Sequence, residues 1–375
     1  MKLSCSKELL MDIVNTVQKA ISPKSVLPIL ECMKIDAHGN GNIKVTGYNT
    51  DICIEYNTVC NVEMGGEIAL TSKMFGEIVR RLPDGQVYIN VNPENKVTKI
   101  KCGVSEFNIS GVESRDYPNP PELEEKLRFT LDQAVLKNII RKTISFSAQA
   151  EGKRPILTGI LFEIKNNVLN VVASDGHRLA LVKEELKTNI EDTKFIVPAQ
   201  NIRELLKLLK DEEQVEIILS SRHVLFEFEN FSFYSRLMEG EFLKYDAVMA
   251  ATNSIICTVE KKEINACLER AMLLINEDAV SSSSRRSPVR INIDEDSMDI
   301  TCITSRGQVS DSVNIKKDGT NLEIGFNCRF LLDALASCDE DFVKMEFTTA
   351  LGGCYVKPVD ENLMYSFMIL PVRLG

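Results

Sequence analysis

The sequence has no apolar run of the roughly 18 residues that a membrane-spanning helix needs. Its first residues, MKLSCSKELLMDIV, carry charges where a secretory signal peptide would have its apolar stretch. A membrane-spanning protein and a secreted protein are therefore both unexpected, and the sequence predicts a cytoplasmic location.

Close cysteine pairs are also missing from the sequence. No Cys-x-x-Cys motif and no tight cluster of cysteine and histidine occurs, so a structural zinc site is not indicated. The eleven cysteines are odd in number and none lies between residues 103 and 256, which is unlike a disulfide framework. We therefore expect reduced thiols that act as small apolar residues, and we expect no metal and no cofactor.

Positive charge is the minority sign in this chain. The 375 residues include 44 Lys and Arg against 54 Asp and Glu, which gives a formal net charge of −10. This balance excludes a uniformly basic nucleic-acid-binding protein, although a locally basic face is compatible with it. The length indicates two or three domains, at roughly 100–200 residues per domain.

One segment of the sequence occurs three times. Each copy predicts a strand, an amphipathic helix, an acidic turn and a further strand. Aligned on Thr71, Pro198 and Asn327, the copies are 127 and then 129 residues apart, close to a third of the chain. The copies read EIALTSKMFGEIVRRLPDGQVYINV (67–91), KFIVPAQNIRELLKLLKDEEQVEIIL (194–219) and LEIGFNCRFLLDALASCDEDFVKMEF (322–347). Three domains of one design therefore fill the sequence, and we place them at 1–126, 127–251 and 252–375.

Each third also opens with a helix of its own, predicted at 7–21, 131–144 and 261–275, in which apolar side chains recur every three or four residues. The pattern predicts six helices in all, which begin near residues 7, 73, 132, 199, 261 and 329. Several strands follow each helix, and residues 223–237 alternate around a central turn, as a hairpin does. The predicted fold class is α+β, with helices gathered on one face of antiparallel sheets.

Basic residues lie opposite the apolar stripe on several of these helices. A charged helix face is often merely solvated. Its recurrence in a net-acidic chain, whose middle third is nearly neutral, instead indicates one surface suited to a polyanion. The residues so placed are Lys73, Arg80, Lys137, Arg141, Arg203, Lys207 and Lys210, with Arg285 and Arg286 in a polar loop.

Two stretches resemble the signatures of bacterial sliding clamps, the β subunits of DNA polymerase III. They are LTGILFEIKNNVLNVVASDGHRLAL (157–181) and the terminus MILPVRLG (368–375). Further similar stretches are VLPIL (26–30), LPDG (82–85), SRDYP (114–118) and NEDAVSSSSRRSPVRINI (276–293). The resemblance covers the whole chain in order.

The resemblance implies three DNA-clamp domains per chain and a head-to-tail homodimer that closes into a ring. Helices would line the inner face of the sheets, and duplex DNA would pass through the hole without being read for sequence. The chain would then be a non-catalytic processivity factor that tethers the replicative DNA polymerase. Phosphate contacts of this kind are weak and salt-sensitive, so the ring would be free to slide.

A second implied site is a hydrophobic groove between the middle and last domains. It would take short linear peptides of polymerases, the clamp loader and repair proteins, since an apolar groove with a few polar groups suits apolar anchors. The matching positions are Leu157, Ser174, Gly176, His177, Arg178, Leu179, Leu243, Val248, Met368, Leu370, Pro371, Val372, Arg373 and Leu374. Three departures from the family bear on peptide preference: Leu243 stands where the family often has proline, Ala247 stands where an arginine can occur, and Gly375 follows the usual last leucine.

The resemblance and the helix faces also give residues for the two remaining contacts. The DNA positions are Lys24, Lys73, Arg80, Gln149 and Arg154 by resemblance, with Lys137, Arg141, Arg203 and Lys207 from the helix faces. For the dimer, the resemblance implies that Phe107 of one chain meets Leu273 and Leu274 of the other.

Two other functions remain open on sequence grounds. An enzyme would rest on Asp175 orienting His177 as a base, with Ser174 as the nearest hydroxyl. Three triad members within one turn do not align easily, however, and neither a phosphate-binding loop nor a paired acidic motif occurs. A repeat scaffold that binds proteins and never meets DNA is the other alternative, but it leaves the basic helix faces unexplained.

Overall fold

The computed structural model describes residues 1–149, 154–250, 253–281 and 287–374. The chain divides into two units. One contains Met1–Lys137 with Gln200–Leu237, and the other contains Asn138–Ala199 with Met238–Gly375. The predicted middle domain therefore contributes to both units.

Seven α-helices occur in the described residues, and six of them begin within one residue of the predicted positions, which confirms those starts. They are α1 (Lys7–Val17), α2 (Ser72–Arg81), α3 (Gln133–Thr143), α4 (Ala199–Leu206), α5 (Tyr245–Met249), α6 (Lys261–Ser281) and α7 (Cys328–Ala336). The short helix α5 was not predicted, and α6 continues six residues past its predicted end. Helix α1 begins where the Ser6 hydroxyl accepts a hydrogen bond from the Leu9 amide, 3.2 Å away.

The strands alternate with these helices along the chain. The first third has β1 (Lys2–Ser6), β2 (Cys32–Ala37), β3 (Asn42–Tyr48), β4 (Ile52–Val59), β5 (Asn61–Met64), β6 (Gly66–Thr71), β7 (Gln86–Val91), β8 (Val97–Cys102) and β9 (Ser105–Ser110). The middle third has β10 (Leu127–Asp132), β11 (Gly159–Lys165), β12 (Val168–Ser174), β13 (Arg178–Glu185), β14 (Thr193–Pro198), β15 (Gln214–Leu219), β16 (His223–Glu227) and β17 (Phe231–Arg236). The last third has β18 (Ile255–Glu260), β19 (Val289–Ile293), β20 (Ser297–Thr304), β21 (Gly307–Asp318), β22 (Leu322–Phe326), β23 (Phe342–Phe347), β24 (Cys354–Pro358) and β25 (Tyr365–Ile369).

The first unit holds two sheets. A five-stranded sheet has the order β5-β1-β7-β8-β9, and an eight-stranded sheet has the order β10-β15-β16-β17-β4-β3-β2-β6. In the eight-stranded sheet, β17 pairs with β4 so that Phe233 opposes Ile54. Strands from the first and middle thirds thus share one continuous sheet. The predicted hairpin at 223–237 is confirmed as β16 and β17.

The second unit is built on one twelve-stranded sheet. Its order is β14-β11-β12-β13-β25-β24-β23-β18-β21-β20-β19-β22. Strands β13 and β25 join the middle third to the last third, with Arg178 opposite Ile369 and Leu179 opposite Met368. The tight turn between β11 and β12 is Asn166-Asn167, and both residues have positive φ, which asparagine tolerates in hairpin turns.

The helices bury the apolar stripes that the sequence predicted. In α3, Leu136, Ile139 and Ile140 are fully or almost fully buried, and in α4 Ile202 and Leu205 are fully buried. All strand pairings in the described part of the chain are antiparallel, so the α+β prediction is confirmed. None of the helices in these residues combines the length and apolar character that crossing a bilayer requires.

Candidate functional site

The turn between β12 and β13 is held by its own side chains. The Ser174 hydroxyl donates to the Arg178 carbonyl at 2.7 Å and accepts from the Gly176 amide at 3.1 Å. One Asp175 oxygen accepts from the His177 and Arg178 amides at 2.9 and 3.1 Å. Gly176 has a φ of +89°, a conformation that glycine adopts without strain. The sequence S-D-G-H-R therefore folds as a fixed, self-bonded turn.

The geometry of this turn opposes the enzyme alternative. The second Asp175 oxygen bonds to Nε of Arg178 at 2.9 Å, so both carboxylate oxygens are engaged by partners other than the imidazole. The exposed His177 ring stacks near Phe330, with 6.4 Å between the ring centroids. The Ser174 hydroxyl is committed to the Arg178 carbonyl. Serine, aspartate and histidine thus do not form the relay that nucleophilic catalysis needs.

Arg178 is the centre of a buried polar network. Its guanidinium donates to Asp333 at 2.6 Å and to the Ser145 carbonyl at 2.7 Å. The same group lies over the rings of Phe146 and Phe330, 5.1 and 4.4 Å from their centroids. Only 8% of Arg178 is exposed. Several segments of the second unit therefore meet at one side chain.

An apolar cluster lies beside this turn. Leu179 and Met368, two of the predicted groove residues, belong to its buried part, while Leu243 and Val248 pack against it half-buried. Leu157 is buried nearby, beside Gly176. The other buried members are Leu161, Val172, Leu181, Ile196, Tyr245 and Tyr355. Ala247, one of the departures from the family, is exposed on α5.

The C-terminal segment runs past the cluster after β25 ends. The Leu370 amide bonds to the His177 carbonyl at 2.9 Å, and the Val372 amide bonds to the Gly325 carbonyl at 2.8 Å. Leu370 and Val372 are partly exposed, as are the predicted residues Pro371, Arg373 and Leu374. The structure thus brings the S-D-G-H-R turn, the apolar cluster and the terminus together.

Sequence reasoning missed several residues of this assembly. The Tyr355 hydroxyl bonds to the Val248 carbonyl at 2.7 Å, and the Tyr245 hydroxyl bonds to Glu163. Phe330 and Asp333 face Arg178 from α7. No local pattern marks these residues, because each acts through a partner at least 82 positions away. Phe330 and Asp333 are three residues apart on one helix face, and this spacing is the only signal that could have linked them.

The residues of α2 and α3 that were predicted to contact DNA are exposed or half-buried, and most of them bond to other side chains. Lys73 and Arg80 project from α2, and Arg80 bonds to Glu77 at 3.3 Å and also to Gln18. Lys137 bonds to Asp211 at 2.7 Å.

Arg141 reaches a different part of the chain. It pairs with Asp339, and the adjacent buried Lys142 bonds to the same carboxylate at 2.6 Å. Lys142 also donates to the Ser337 carbonyl at 3.1 Å.

The prediction that Arg203, Lys207 and Lys210 share one helix face is wrong. Helix α4 ends at Leu206, because the amides of Lys207 and Leu208 bond three residues back and tighten the last turn. Lys207 and Lys210 lie beyond the helix, where Lys207 bonds to Glu204 at 2.8 Å and Lys210 to Glu213 at 3.1 Å. Arg203 is half-buried within α4.

The remaining residues that were predicted to contact DNA lie in loops. Lys24, Gln149 and Arg154 are exposed, and Gln149 and Arg154 flank residues 150–153, which lie outside the described residues. Arg285 and Arg286 also lie outside them.

The residues predicted for the dimer are accessible apolar side chains. Phe107 is 37% exposed on β9, an edge strand of the five-stranded sheet. Leu273 is 67% exposed on α6, and Leu274 is half-buried beside it. An edge strand offers unpaired backbone groups to another chain.

The described residues show neither a metal-binding site nor a reactive cysteine. They contain no group of three or more His, Cys, Asp or Glu side chains that could hold a metal ion. All eleven cysteines are free thiols, and ten of them are buried. Burial raises the pKa of the thiols of Cys5 and Cys328 to about 12, so both are protonated at neutral pH.

Comparison with known proteins gives one consistent result along the whole chain. Models of the N-terminal, central and C-terminal domains of the DNA polymerase III beta subunit match residues 1–121, 130–244 and 247–373. The beta sliding clamps of Halalkalibacterium halodurans and Bacillus subtilis are 33% and 32% identical to the chain. The alignments cover 93% of both proteins in the first case and 100% of both in the second.

Solved structures agree with the sequence comparisons. The crystal structure of a putative DNA polymerase III beta subunit from Eubacterium rectale matches with a TM-score of 0.92 and 35% identity. That of the DNA polymerase sliding clamp from Bacillus subtilis matches with a TM-score of 0.92 and 30% identity. Both matches cover 100% of each chain.

Proposed function

Because the chain belongs to the family of DNA polymerase III beta subunits, the non-catalytic sliding clamps of replication, we propose that two copies close head to tail into a ring around duplex DNA. The ring tethers the replicative polymerase for processive synthesis. Each chain contributes three clamp domains, at 1–126, 127–251 and 252–375. Helix faces line the hole, and DNA is held by encirclement, without base reading.

The main support for this proposal is that exposed basic residues pair with nearby carboxylates in a net-acidic chain. In the pair Lys137–Asp211 both side chains reach solvent, and in the pair Lys207–Glu204 the lysine side chain is 51% exposed and the glutamate side chain 17%. Such ion pairs contribute about 0–1 kcal/mol, so a DNA phosphate can displace the carboxylate at little cost. Contacts that exchange this readily hold a duplex without fixing it in place, as sliding requires.

Partners bind in the proposed groove, which comprises the S-D-G-H-R turn, the apolar cluster and residues 370–374. The half-buried members of the cluster offer apolar surface to peptide anchors, while the exposed residues His177 and Arg373 supply polar groups at the rim. Short linear peptides of polymerases, the clamp loader and repair proteins are the proposed occupants. Phe107 of one chain against Leu273 and Leu274 of the other is the proposed dimer contact.

The test compares how much of the protein stays bound to circular DNA and to linear DNA. The clamp is loaded with a bacterial clamp loader and ATP onto nicked circular DNA or onto the same DNA linearised, and gel filtration follows. We expect retention on the circle and loss from the linear form, because an encircling ring slides off free ends. Arg203→Glu with Lys207→Glu should lower retention on the circle at least threefold, since each reversal repels phosphate.

The matched control is Lys2→Glu with Lys316→Glu, which makes the same charge change at exposed strand positions. This control should be retained like the unaltered chain. Equal retention on circular and linear DNA would contradict encirclement. An equal loss in both double variants would show that overall charge matters, and not the positions of Arg203 and Lys207.

A further inference from the structure

The C-terminal segment bonds to the last domain at Gly325, a glycine of β22. Gly325 lies on β22, the edge strand of the twelve-stranded sheet, with β19 on one side. On its other side the Gly325 carbonyl accepts from the Val372 amide at 2.8 Å. Together with the bond from the Leu370 amide to the His177 carbonyl, this bond holds residues 370–374 in the described part of the chain.

No side chain larger than hydrogen fits at this glycine. A Cβ added to Gly325 would lie 2.6 Å from Cδ2 of Leu374 and 3.0 Å from its Cγ. It would also lie 2.9 Å from the Val372 carbonyl oxygen. A leucine tip can rotate away, but a backbone carbonyl moves only if the segment moves with it. Gly325 has ordinary strand geometry, so space and not backbone conformation makes glycine necessary here.

We propose that Gly325 is a positioning residue for the proposed peptide groove: its missing side chain lets residues 372–374 dock on β22 and complete the groove wall. This inference rests on the proposed groove. Leu370 and Val372 present partly exposed apolar side chains only while the segment is held at both His177 and Gly325. A side chain at position 325 therefore weakens peptide binding without touching the peptide.

The test compares three variants of the full chain. Gly325→Ala fills the space, deletion of Pro371–Leu374 removes the segment, and Gly39→Ala is the matched control, because a Cβ at Gly39 meets nothing within 4 Å. Fluorescence polarisation measures the affinity for a labelled ten-residue peptide from the clamp-binding segment of the Bacillus subtilis replicative polymerase. We expect Gly325→Ala to weaken binding at least tenfold, the deletion to abolish it and Gly39→Ala to leave it unchanged.

A second readout separates positioning from general destabilisation. Carboxypeptidase digestion followed by mass spectrometry should release residues 372–374 at least fivefold faster from Gly325→Ala than from Gly39→Ala, with thermal unfolding unchanged. If Gly325→Ala does not fold, Val372→Pro tests the same attachment. Proline has no backbone amide, so this variant lacks the donor to the Gly325 carbonyl.

The outcomes distinguish this inference from the proposed function. If the deletion abolishes binding and Gly325→Ala does not weaken it, the groove stands and the role of Gly325 is overturned. If the unaltered chain and the deletion bind the peptide equally well, or neither binds it, the proposed groove itself is overturned.

Discussion

At the scale of single residues, Arg178 shows why side-chain identity matters in the proposed groove. Its planar guanidinium offers five N–H donors in a fixed fork, and the structure directs them to Asp175, Asp333 and the Ser145 carbonyl. A lysine ammonium is one compact charge and cannot reach several acceptors in different directions. The resemblance pointed to Arg178, but its long-range partners could not be found from a single sequence.

We predict that Arg178→Lys weakens both the fold and peptide binding. The loss of charge-assisted hydrogen bonds should lower the free energy of unfolding by about 1–3 kcal/mol. Because Arg178 ties the S-D-G-H-R turn to α7, peptide affinity should fall as well. Urea denaturation followed by circular dichroism and fluorescence polarisation measure the two effects.

The control for this prediction is Arg290→Lys. Arg290 forms an exposed pair with Glu323, so its replacement should change the free energy of unfolding by less than about 0.5 kcal/mol. Equal behaviour of the two variants would show that the buried network around Arg178 does not stabilise the turn.

At the scale of elements, helix starts were predictable and some helix ends were not. The periodicity of apolar residues predicted the first residue of six helices to within one position. This works because the apolar stripe of a helix begins where the helix begins to pack. The end of α4 depends on three-residue-back bonds and on the Gln133 side chain, which accepts from the Lys210 amide at 2.9 Å. Such a partner is distant in sequence, so periodicity extended the helix too far. Helix α5 has only five residues, too few for a repeating pattern.

The contact between α3 and the segment after α7 predicts a pH dependence. Burial alone would raise the pKa of Asp339, but hydrogen bonds from Lys142 and Arg141 outweigh burial and hold that pKa below its ordinary value. A carboxylate whose pKa is lowered by folding stabilises the protein above its unfolded-state pKa of about 4. That stabilisation is lost as the pH falls through the folded-state pKa.

We therefore expect Asp339→Asn to be less stable than the unaltered chain at pH 7, with the difference shrinking below about pH 4. Urea denaturation between pH 3 and pH 7 measures it. Asp318→Asn, at the exposed end of β21, is the control and should follow the unaltered chain throughout. A difference for Asp339→Asn that stays constant across this range would show that its ionisation is not linked to folding.

At the scale of the whole molecule, the threefold repeat was visible in the sequence but the joining of sheets was not. Strands β4 and β17 pair across one predicted boundary, and β13 and β25 bring the middle and last thirds together. Each pairing links residues more than 170 positions apart, beyond the reach of local patterns. The continuous sheets explain why the chain divides into two units although it repeats three times.

The proposed ring predicts a solution mass near twice 42.1 kDa in multi-angle light scattering at micromolar concentration. Leu273→Asp should reduce that mass toward 42.1 kDa, because it places a carboxylate in the proposed apolar contact with Phe107 of the other chain. Leu351→Asp is the matched control, since Leu351 is 74% exposed against 67% for Leu273 and has no role in the proposed contact. It should leave the dimer intact. A monomeric unaltered chain would contradict the ring, whereas dissociation by both variants would show that added negative charge, and not the loss of a specific contact, separates the two chains.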